Sequence, residues 1–294
     1  MPSGYEKCML CQRTCGVDRT RGERGFCAAD DVMMVSRVSV HMWEEPVISG
    51  ECGSGTVFFS GCSLGCIFCQ NCEISRVADN GAPYTPRELA EAIIRLMGQG
   101  VHNINFVTPT HYAPSVVRSV EIAKNLGLTL PIVYNTASYE SVPTVRSLRE
   151  CVDIFLPDYK YARTKTASDY SRAPDYPETA LAAISEMVKI RPEPIIKNGI
   201  MERGVIVRIL LLPSHVAEAK LALSRLYERF GQRVYFSLMS QYTPMPNMKA
   251  PLDRRVTLEE YSQLVAYAEK IGITQAFVQE RDSADTAYIP DFNK

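Results

Sequence analysis

The stretch Thr56–Ser75, TVFFSGCSLGCIFCQNCEIS, decides the fold because it joins a short apolar run to a dense set of thiols. The run Thr56–Ser60 predicts a buried strand. Directly after it come Cys62, Cys66 and Cys69, spaced so that one short loop can surround a small inorganic centre. Thiolates are the ligands that iron–sulfur clusters prefer. A [4Fe–4S] cube held by three thiolates keeps one iron without a protein ligand, and an open position on a metal is where a substrate can bind.

A zinc knuckle is the main alternative interpretation of this thiol loop, by which we mean residues 61–75. Zinc usually takes four closing ligands, and Cys72 would supply the fourth. Three features favour the iron–sulfur interpretation: the strand before the loop, the aromatic Phe68 beside Cys69, and the barrel-like pattern that follows. We therefore predict a [4Fe–4S] cluster bound by the first three thiols of the loop.

The thiol loop resembles the signature of the radical S-adenosylmethionine (SAM) enzymes, which carry this C-x3-C-x2-C triplet with an aromatic residue before its last cysteine. The resemblance implies that SAM binds the open iron through its amino and carboxylate groups, close to Phe68. It also implies that an electron from the cluster splits SAM into methionine and a 5′-deoxyadenosyl radical, which abstracts a hydrogen atom. Within this superfamily the chain is most similar to a branch of proteins that resemble pyruvate formate-lyase activating enzyme.

Length and composition indicate an ordinary globular protein, with 294 residues, 46% hydrophobic and 22% charged. A net charge of −1 gives no electrostatic footprint for nucleic acid or an anionic membrane. No apolar stretch reaches the length of a membrane span, and the N-terminus lacks a signal-peptide core, so we expect a cytoplasmic protein with neither partner. Nine of the ten cysteines precede residue 73, and such clustering in a reducing compartment indicates metal binding rather than disulfides.

From Thr56 onward, strand and helix patterns alternate six times. The predicted strands are 56–60, 103–107, 131–135, 152–156, 204–212 and 234–239, and the predicted helices are 86–98, 114–125, 142–150, 177–190, 215–230 and 258–272. Six successive β-α units predict an α/β fold with a parallel sheet, too few to close an eight-stranded barrel. The resemblance implies a partial (β/α)6 TIM barrel over residues 51–294, preceded by a cysteine-rich metal-binding extension over residues 1–50.

A second set of thiols lies in residues 8–27, the N-terminal thiol segment. Four cysteines with interspersed glycines predict a metal-stapled knuckle, because so short a segment cannot build its own core. Zinc and an auxiliary iron–sulfur cluster suit four thiols equally well, so both remain open. We expect the arginines of the segment to form a solvated face, and Glu44 and Glu45 to cap a helix or pair with them. The ligands are Cys8, Cys11, Cys15 and Cys27, and the arginines are Arg13, Arg19, Arg21 and Arg24.

Polar residues follow the second predicted strand at its carboxyl end, where ligands bind in parallel β/α folds. They are Thr108, Thr110 and His111. Relatives that activate glycyl-radical enzymes usually have a GGEP motif here that binds the SAM amino group, so the resemblance implies that backbone carbonyls or one of these three side chains replace that contact. His111 is also a candidate catalytic proton relay, with a packed core histidine as the alternative.

Two further strand ends carry polar pairs, Asn135–Thr136 and Asp158–Lys160. Pyruvate formate-lyase activating enzyme has Asp-Thr and Asp-x-Lys at these places, where they hold a monovalent cation beside the SAM carboxylate and contact the substrate. The resemblance implies the same roles here, with Lys160 as a catalytic candidate, although Asn135 lacks the negative charge. Asp158 and Lys160 lie on the same side of an extended stretch, and a surface salt bridge is the alternative.

Arg208 interrupts the apolar strand pattern VIVRILLL. A buried arginine needs an anionic partner. The resemblance implies that this partner is the carboxylate or the ribose of SAM.

Together these features predict a radical SAM enzyme that abstracts hydrogen from a substrate carbon and receives its electron from a donor such as flavodoxin or ferredoxin. The backbone glycine of a glycyl-radical enzyme is the prototype substrate, and another peptide or a small metabolite is the alternative. A non-catalytic iron–sulfur or zinc protein is the competing class, and it predicts no SAM cleavage. The sequence contains no Ser-His-Asp hydrolase pattern, P-loop or Rossmann glycine fingerprint.

Overall fold

The fold is an open, mostly parallel β-sheet with helices packed against it. The computed structural model describes residues 4–279. Its strands are β1 (Met33–His41), β2 (Ser54–Phe59), β3 (Ala82–Tyr84), β4 (Ile104–Val107), β5 (Ile132–Thr136), β6 (Ile154–Pro157), β7 (Ile195–Lys197), β8 (Ile200–Leu210), β9 (Tyr235–Met239) and β10 (Ala276–Val278). Its helices are α1 (Pro46–Ser49), α2 (Cys72–Ser75), α3 (Pro86–Met97), α4 (Ala113–Asn125), α5 (Val142–Ser147), α6 (Thr164–Ser171), α7 (Tyr176–Ile190), α8 (Val216–Phe230) and α9 (Leu258–Lys270).

The strand order of the sheet is β10-β9-β8-β6-β5-β4-β2-β1-β3. Neighbours from β2 to β10 pair in parallel, whereas β1 is antiparallel to β2 and β3, and β7 is antiparallel to β8. Parallel neighbours bring their carboxyl ends to one edge, so the loops after β2, β4, β5, β6 and β8 meet there. The predicted α/β class and its six β-α units are confirmed, and β10 adds a further short parallel strand.

Helices α3 and α9 begin where the sequence predicts, because each starts with a capping box. The Thr85 hydroxyl accepts the Glu88 N–H at 3.2 Å, while the Glu88 carboxylate accepts the Thr85 N–H at 2.8 Å. Thr257 and Glu260 make the same reciprocal pair at the start of α9. Two backbone donors are thus satisfied at each helix start, which stabilises the helix by about 1 kcal/mol.

The two faces of the sheet pack differently. One face carries the main core, in which Phe59, Phe106 and Phe155 contact the surrounding helices. The other face carries a smaller apolar cluster, in which Ile48 of α1 packs against residues of β5, β6 and β8; they are Val133, Ile154, Leu156, Met201 and Ile206. The short α1 therefore covers one end of this face, and polar and apolar side chains together line a cavity over the rest of it.

The predicted boundary at residue 50 stays a prediction. Strand β1, which falls within the predicted extension, pairs with β2 from Val35 to His41 and so joins the main sheet. Within residues 4–279, no helix has the length and apolarity to cross a bilayer. The stretch of the predicted barrel that follows Gln279 lies outside the described residues.

Candidate active site

The thiol loop follows β2 and lies at the wall of a cavity of about 670 Å³ at the carboxyl ends of the strands. Cys62, Cys66 and Cys69 all line this cavity. Burial, together with the neighbouring sulfurs, raises the pKa of Cys62 to about 12, and it also raises the pKa of Cys69. Cys62 and Cys69 are therefore protonated thiols at neutral pH, and metal binding must displace their protons.

Each of the three sulfurs accepts a hydrogen bond from a neighbouring N–H or hydroxyl. The Leu64 N–H donates to Cys62 Sγ at 3.4 Å, the Ser171 hydroxyl to Cys66 Sγ at 3.1 Å, and the Ser75 hydroxyl to Cys69 Sγ at 3.2 Å. Hydrogen bonds to ligand sulfur stabilise negative charge on it and tune the reduction potential of a bound cluster. The loop thus provides thiols that are already placed and supported.

Phe68 fixes the thiol loop through aromatic packing. It is 5% exposed, lines the cavity, and makes edge-to-face contacts with Tyr161, Tyr170 and Tyr242 at ring-centroid distances of 6.3, 6.1 and 6.1 Å. Such pairs add stability beyond that of apolar burial. The aromatic residue of the signature therefore anchors the loop as well as facing the cavity.

Asp158 and Lys160 form an ion pair at the end of β6, with 2.6 Å between Oδ2 and Nζ, and both line the cavity. Burial disfavours the charged form of Lys160, but Asp158 and the sulfurs of Cys66 and Cys69 outweigh it and hold the pKa of Lys160 above its ordinary value. Lys160 is consequently a permanent cation beside the thiols, rather than a base. The two side chains share one side of the chain, as their spacing predicts.

The cavity floor, by which we mean Glu44, Glu45 and Arg208, is a buried ion cluster. Arg208 Nε and Nη2 donate to the Glu45 carboxylate at 2.7 and 2.6 Å, and Nη2 also donates to Glu44. Glu44 Oε1 accepts in addition from Asn105 at 2.8 Å and from Asn135 at 3.4 Å. Burial opposes the charge on Arg208, but the two carboxylates hold its pKa well above the ordinary value.

Arg208 thus has two partners that the sequence did not predict, and its contact with SAM stays a prediction. Glu44 and Glu45 were expected to cap a helix or to pair with the N-terminal arginines. Both bind Arg208 instead, and Glu45, at the N-cap position of α1, makes no side-chain capping hydrogen bond. Two consecutive glutamates precede Pro46, and the chain brings them against β8 because α1 packs there. The sequence contains one indication of this cluster, namely that a buried arginine needs an anionic partner. Arg208 Nη1 makes no hydrogen bond within the described residues.

The predicted site residues divide into those that line the cavity and those that do not. The cavity is lined by Cys62, Cys66, Phe68, Cys69, Thr108, Asn135, Thr136, Asp158, Lys160 and Arg208, and sequence reasoning did not single out Glu44, Glu45 and Ser237 as part of it. Thr108 has a φ of 56°, a left-handed conformation that marks the sharp turn after β4. Thr110 lies behind the cavity wall, where its hydroxyl and that of Thr136 donate to the buried Glu140.

His111 also lies outside the cavity lining. It is 2% exposed, its Nε2 bonds the Ser60 carbonyl at 2.7 Å, and its ring packs on Tyr112 at 4.3 Å between centroids. Burial lowers the pKa of His111 to about 3, so the imidazole is neutral. This placement matches the packed-histidine alternative and holds the end of β2 in place.

The N-terminal thiol segment contacts the thiol loop directly. Burial raises the pKa of Cys11 to about 12, and charges on Cys27, Cys8 and Cys15 act on it in the same direction. The expected solvated arginine face is wrong for two of its members. Arg19 is fully buried, and Arg13 donates to four backbone carbonyls, two of them in the thiol loop.

The donor set of the thiol loop fits a [4Fe–4S] cluster. Within residues 4–279, no three His, Cys, Asp or Glu side chains are gathered so as to share a single metal ion. A cluster divides its thiolates among separate irons, so its ligands need not converge on one point. Three supported thiols at the wall of a large cavity suit such a centre, and the protonated Lys160 supplies positive charge beside it.

Comparisons with known proteins place the fold. No protein-family model matches the chain. An uncharacterized protein of Methanocaldococcus jannaschii is 29% identical over 279 residues, which cover 92% of this chain and 76% of that protein. The crystal structure of methylornithine synthase (PylB) superposes with a TM-score of 0.51 and 17% identity over 73% of this chain, and the match spans 61% of the PylB chain. Native anSMEcpe with bound AdoMet aligns with a TM-score of 0.49 and 11% identity, over 72% of this chain and 58% of that chain. The likeness to PylB shows a shared α/β fold.

Proposed function

We propose that the protein is a radical SAM enzyme, with a [4Fe–4S] cluster held by Cys62, Cys66 and Cys69. The observation that carries the proposal is that three thiols and the charged strand ends Asp158–Lys160 and Arg208 line one cavity at the carboxyl edge of the sheet. When bound and reduced, the cluster supplies one electron to SAM, which yields methionine and a 5′-deoxyadenosyl radical that takes hydrogen from a substrate carbon. The likeness to PylB supports the architecture that this proposal requires.

The residues of the chain would bind and orient SAM and exclude water. Thr108 and Asn135 present a hydroxyl and an amide to the cavity, suited to the amino and carboxylate groups of the cofactor. Arg208 Nη1 is a free donor held in place by Glu45, and we assign it to the SAM carboxylate or ribose. Lys160 holds a positive charge near the thiols and orients anionic groups. His111 has a packing role in this proposal.

The substrate we propose is a carbon-bound hydrogen donor that enters the open cavity, either the backbone glycine of a glycyl-radical enzyme, another peptide or a small metabolite. The Asp158–Lys160 pair supports a peptide-contacting role, as in pyruvate formate-lyase activating enzyme, with a monovalent cation beside Asp158 as part of the same proposal. The electron would come from a flavodoxin or a ferredoxin in the cytoplasm.

The test is anaerobic. The protein is reconstituted with iron and sulfide, reduced with dithionite and mixed with SAM, and 5′-deoxyadenosine is quantified by chromatography. We expect the wild type to form 5′-deoxyadenosine and Cys69→Ala to form none above background, because one iron ligand is lost. Cys72→Ala is the matched control, since Cys72 belongs to the same loop but does not line the cavity. A fully loaded wild type that forms no 5′-deoxyadenosine would favour the non-catalytic iron–sulfur protein.

A further inference from the structure

The N-terminal thiol segment encloses a cation that has no carboxylate partner within the described residues. Arg19 is 0% exposed. Its Nε donates to the Asp30 carbonyl at 3.0 Å, Nη2 donates to the same carbonyl, and Nη1 donates to the His111 carbonyl. Its Nη1 also donates to the sulfur of Cys8, at 3.9 Å.

Burial of this guanidinium is costly unless negative charge lies beside it. The rings of Tyr5 and Tyr112 flank it at 4.6 and 5.5 Å and remove it further from water. Neutral thiols would leave its charge unbalanced. Four thiolates around a doubly charged [4Fe–4S] core carry a net charge of about −2, and they need not meet at one point. Such a cluster would supply the missing anion.

We propose that Cys8, Cys11, Cys15 and Cys27 bind a [4Fe–4S] cluster and that Arg19 is its buried counter-cation. This inference is independent of SAM cleavage, because it rests on the burial of Arg19 and the placement of the four cysteines. Backbone hydrogen bonds bring these cysteines near one another, since the Gly16 N–H donates to the Cys8 carbonyl at 3.0 Å and the Thr14 N–H donates to the Cys11 carbonyl at 3.1 Å. Cys15 Sγ is also held, because it accepts the Phe26 N–H at 3.4 Å.

The same centre is fixed against the thiol loop by Arg13, which lies between Cys11 and Cys15. Its guanidinium donates to the carbonyls of Ser63 at 3.0 Å and Leu64 at 3.1 Å, both within the thiol loop. It also donates to the carbonyls of Ser171 and Arg172 at 2.9 and 2.6 Å. Ser171 is the residue whose hydroxyl bonds Cys66. The second centre therefore supports the backbone that carries the first.

The N-terminal thiol segment and the thiol loop approach each other closely at Gly61. Its φ is 87°, and a Cβ built on it would lie 2.7 Å from the Cys27 carbonyl oxygen. A side chain at this position would push the last ligand of the N-terminal set away from the first residue of the thiol loop.

The first experiment measures metal in full-length protein whose thiol loop cannot bind it. The variant Cys62→Ala/Cys66→Ala/Cys69→Ala is offered iron with sulfide, and bound iron and sulfide are counted by native mass spectrometry and elemental analysis. We expect about four irons and four sulfides per chain. The added changes Cys11→Ser and Cys15→Ser should remove them. A folded variant that retains no stoichiometric iron and sulfide overturns the proposal. If this variant fails to fold, Cys11→Ser/Cys15→Ser in the otherwise intact chain must lose the metal of one centre, and an unchanged metal content overturns the proposal.

The second experiment tests the counter-cation. In the loaded protein, Arg19→Met should lose the N-terminal metal to a chelator about 10- to 100-fold faster, as expected when a supporting group of a metal site is removed, and Arg19→Lys should lie between it and the wild type. Arg21→Met is the matched control, because Arg21 is on the same helical turn, its side chain is 81% exposed, and its ion partner is Asp18. Folded Arg19→Met and Arg21→Met variants that release metal at equal rates overturn the assignment of Arg19.

Discussion

The cavity floor and the N-terminal thiol segment each enclose a guanidinium, and they balance its charge in different ways. Arg208 has two glutamates within hydrogen-bonding distance. Arg19 has backbone carbonyls and one cysteine sulfur. The floor is therefore balanced by the polypeptide alone, whereas in our proposal the segment is balanced by a bound cluster. On that proposal the stability of the N-terminal thiol segment depends on bound metal, and the stability of the floor does not.

The largest expected effect is at the floor. Glu45→Gln should lower the free energy of unfolding by about 3–5 kcal/mol, because it breaks a buried ion pair from one side. Urea denaturation measures the loss. Glu91→Gln is the control, because it removes an exposed ion pair in which Glu91 lies 2.8 Å from Arg87. It should change the free energy of unfolding by close to zero. Equal losses in the two variants would show that the floor is not the charge cluster described here.

The next effect is at the contact between the two regions. Arg13→Met removes four hydrogen bonds to carbonyls and should lower the free energy of unfolding by about 2 kcal/mol. It should also speed metal loss from the N-terminal segment. Arg118→Met, in which a side chain with 66% exposure is changed, serves as the control. An Arg13→Met variant as stable as this control would mean that the two regions are not coupled through Arg13.

A smaller expected effect is the loss of the stability that the cavity floor provides when the pH is lowered. Burial acts to raise the pKa of Glu45, but Arg208 and hydrogen bonds outweigh it and hold that pKa below its ordinary value of 4.5. The stability that this carboxylate provides is therefore present above pH 4.5 and is lost as the pH falls through the folded-state pKa. Glu140 affects stability in the opposite direction. Burial raises its pKa, so its effect on stability becomes less favourable as the pH rises through that pKa.

Comparison of the wild type with Glu45→Gln separates the pH dependence of stability that Glu45 causes from that caused by Glu140. The difference in unfolding free energy between these proteins should shrink as the pH is lowered below 4.5 in a series of urea titrations. A difference that stays constant over that range would show that Glu45 is not an ionised partner of Arg208.

The smallest effect concerns the thiol loop alone. Ser171→Ala removes the hydroxyl that donates to Cys66 Sγ and should cost at most about 1 kcal/mol of unfolding free energy. It should lower the reduction potential of a cluster in this loop, because less negative charge on sulfur is stabilised. A spectroscopic redox titration measures the shift. A centre in the N-terminal segment should keep its potential, and an equal shift of both would contradict the assignment.

Much of the fold was predictable because its signals are local. Capping boxes at Thr85 and Thr257 mark helix starts, and apolar runs mark the parallel strands. The elements that the sequence did not predict have weak local patterns. Helix α6, with the sequence TKTASDYS, has little apolar content, and β7 is a three-residue strand that forms only by pairing with β8.

Site residues were predictable where they lie close together in the sequence, at a characteristic spacing. They were not predictable where they meet only through contacts between distant parts of the chain. The triplet Cys62, Cys66 and Cys69 and the pair Asp158–Lys160 belong to single short stretches. The partners of Arg208 lie more than 160 positions earlier, with a separation of 163 residues for Glu45. No local pattern reports such a contact, and the burial of Arg19 is equally a property of the assembled fold. His111 shows the converse, since its position at a strand end predicted exposure to the cavity and packing placed it behind the wall.

The sequence separation of Glu45 and Arg208 also sets the order in which the parts of the site are synthesised on the ribosome. Both cysteine sets and both glutamates emerge early in synthesis, while the arginine that completes the floor is translated 163 residues after Glu45. Until then the two carboxylates lack the cation that balances them in the folded protein. The seven candidate ligand thiols are therefore synthesised before the floor of the cavity is complete.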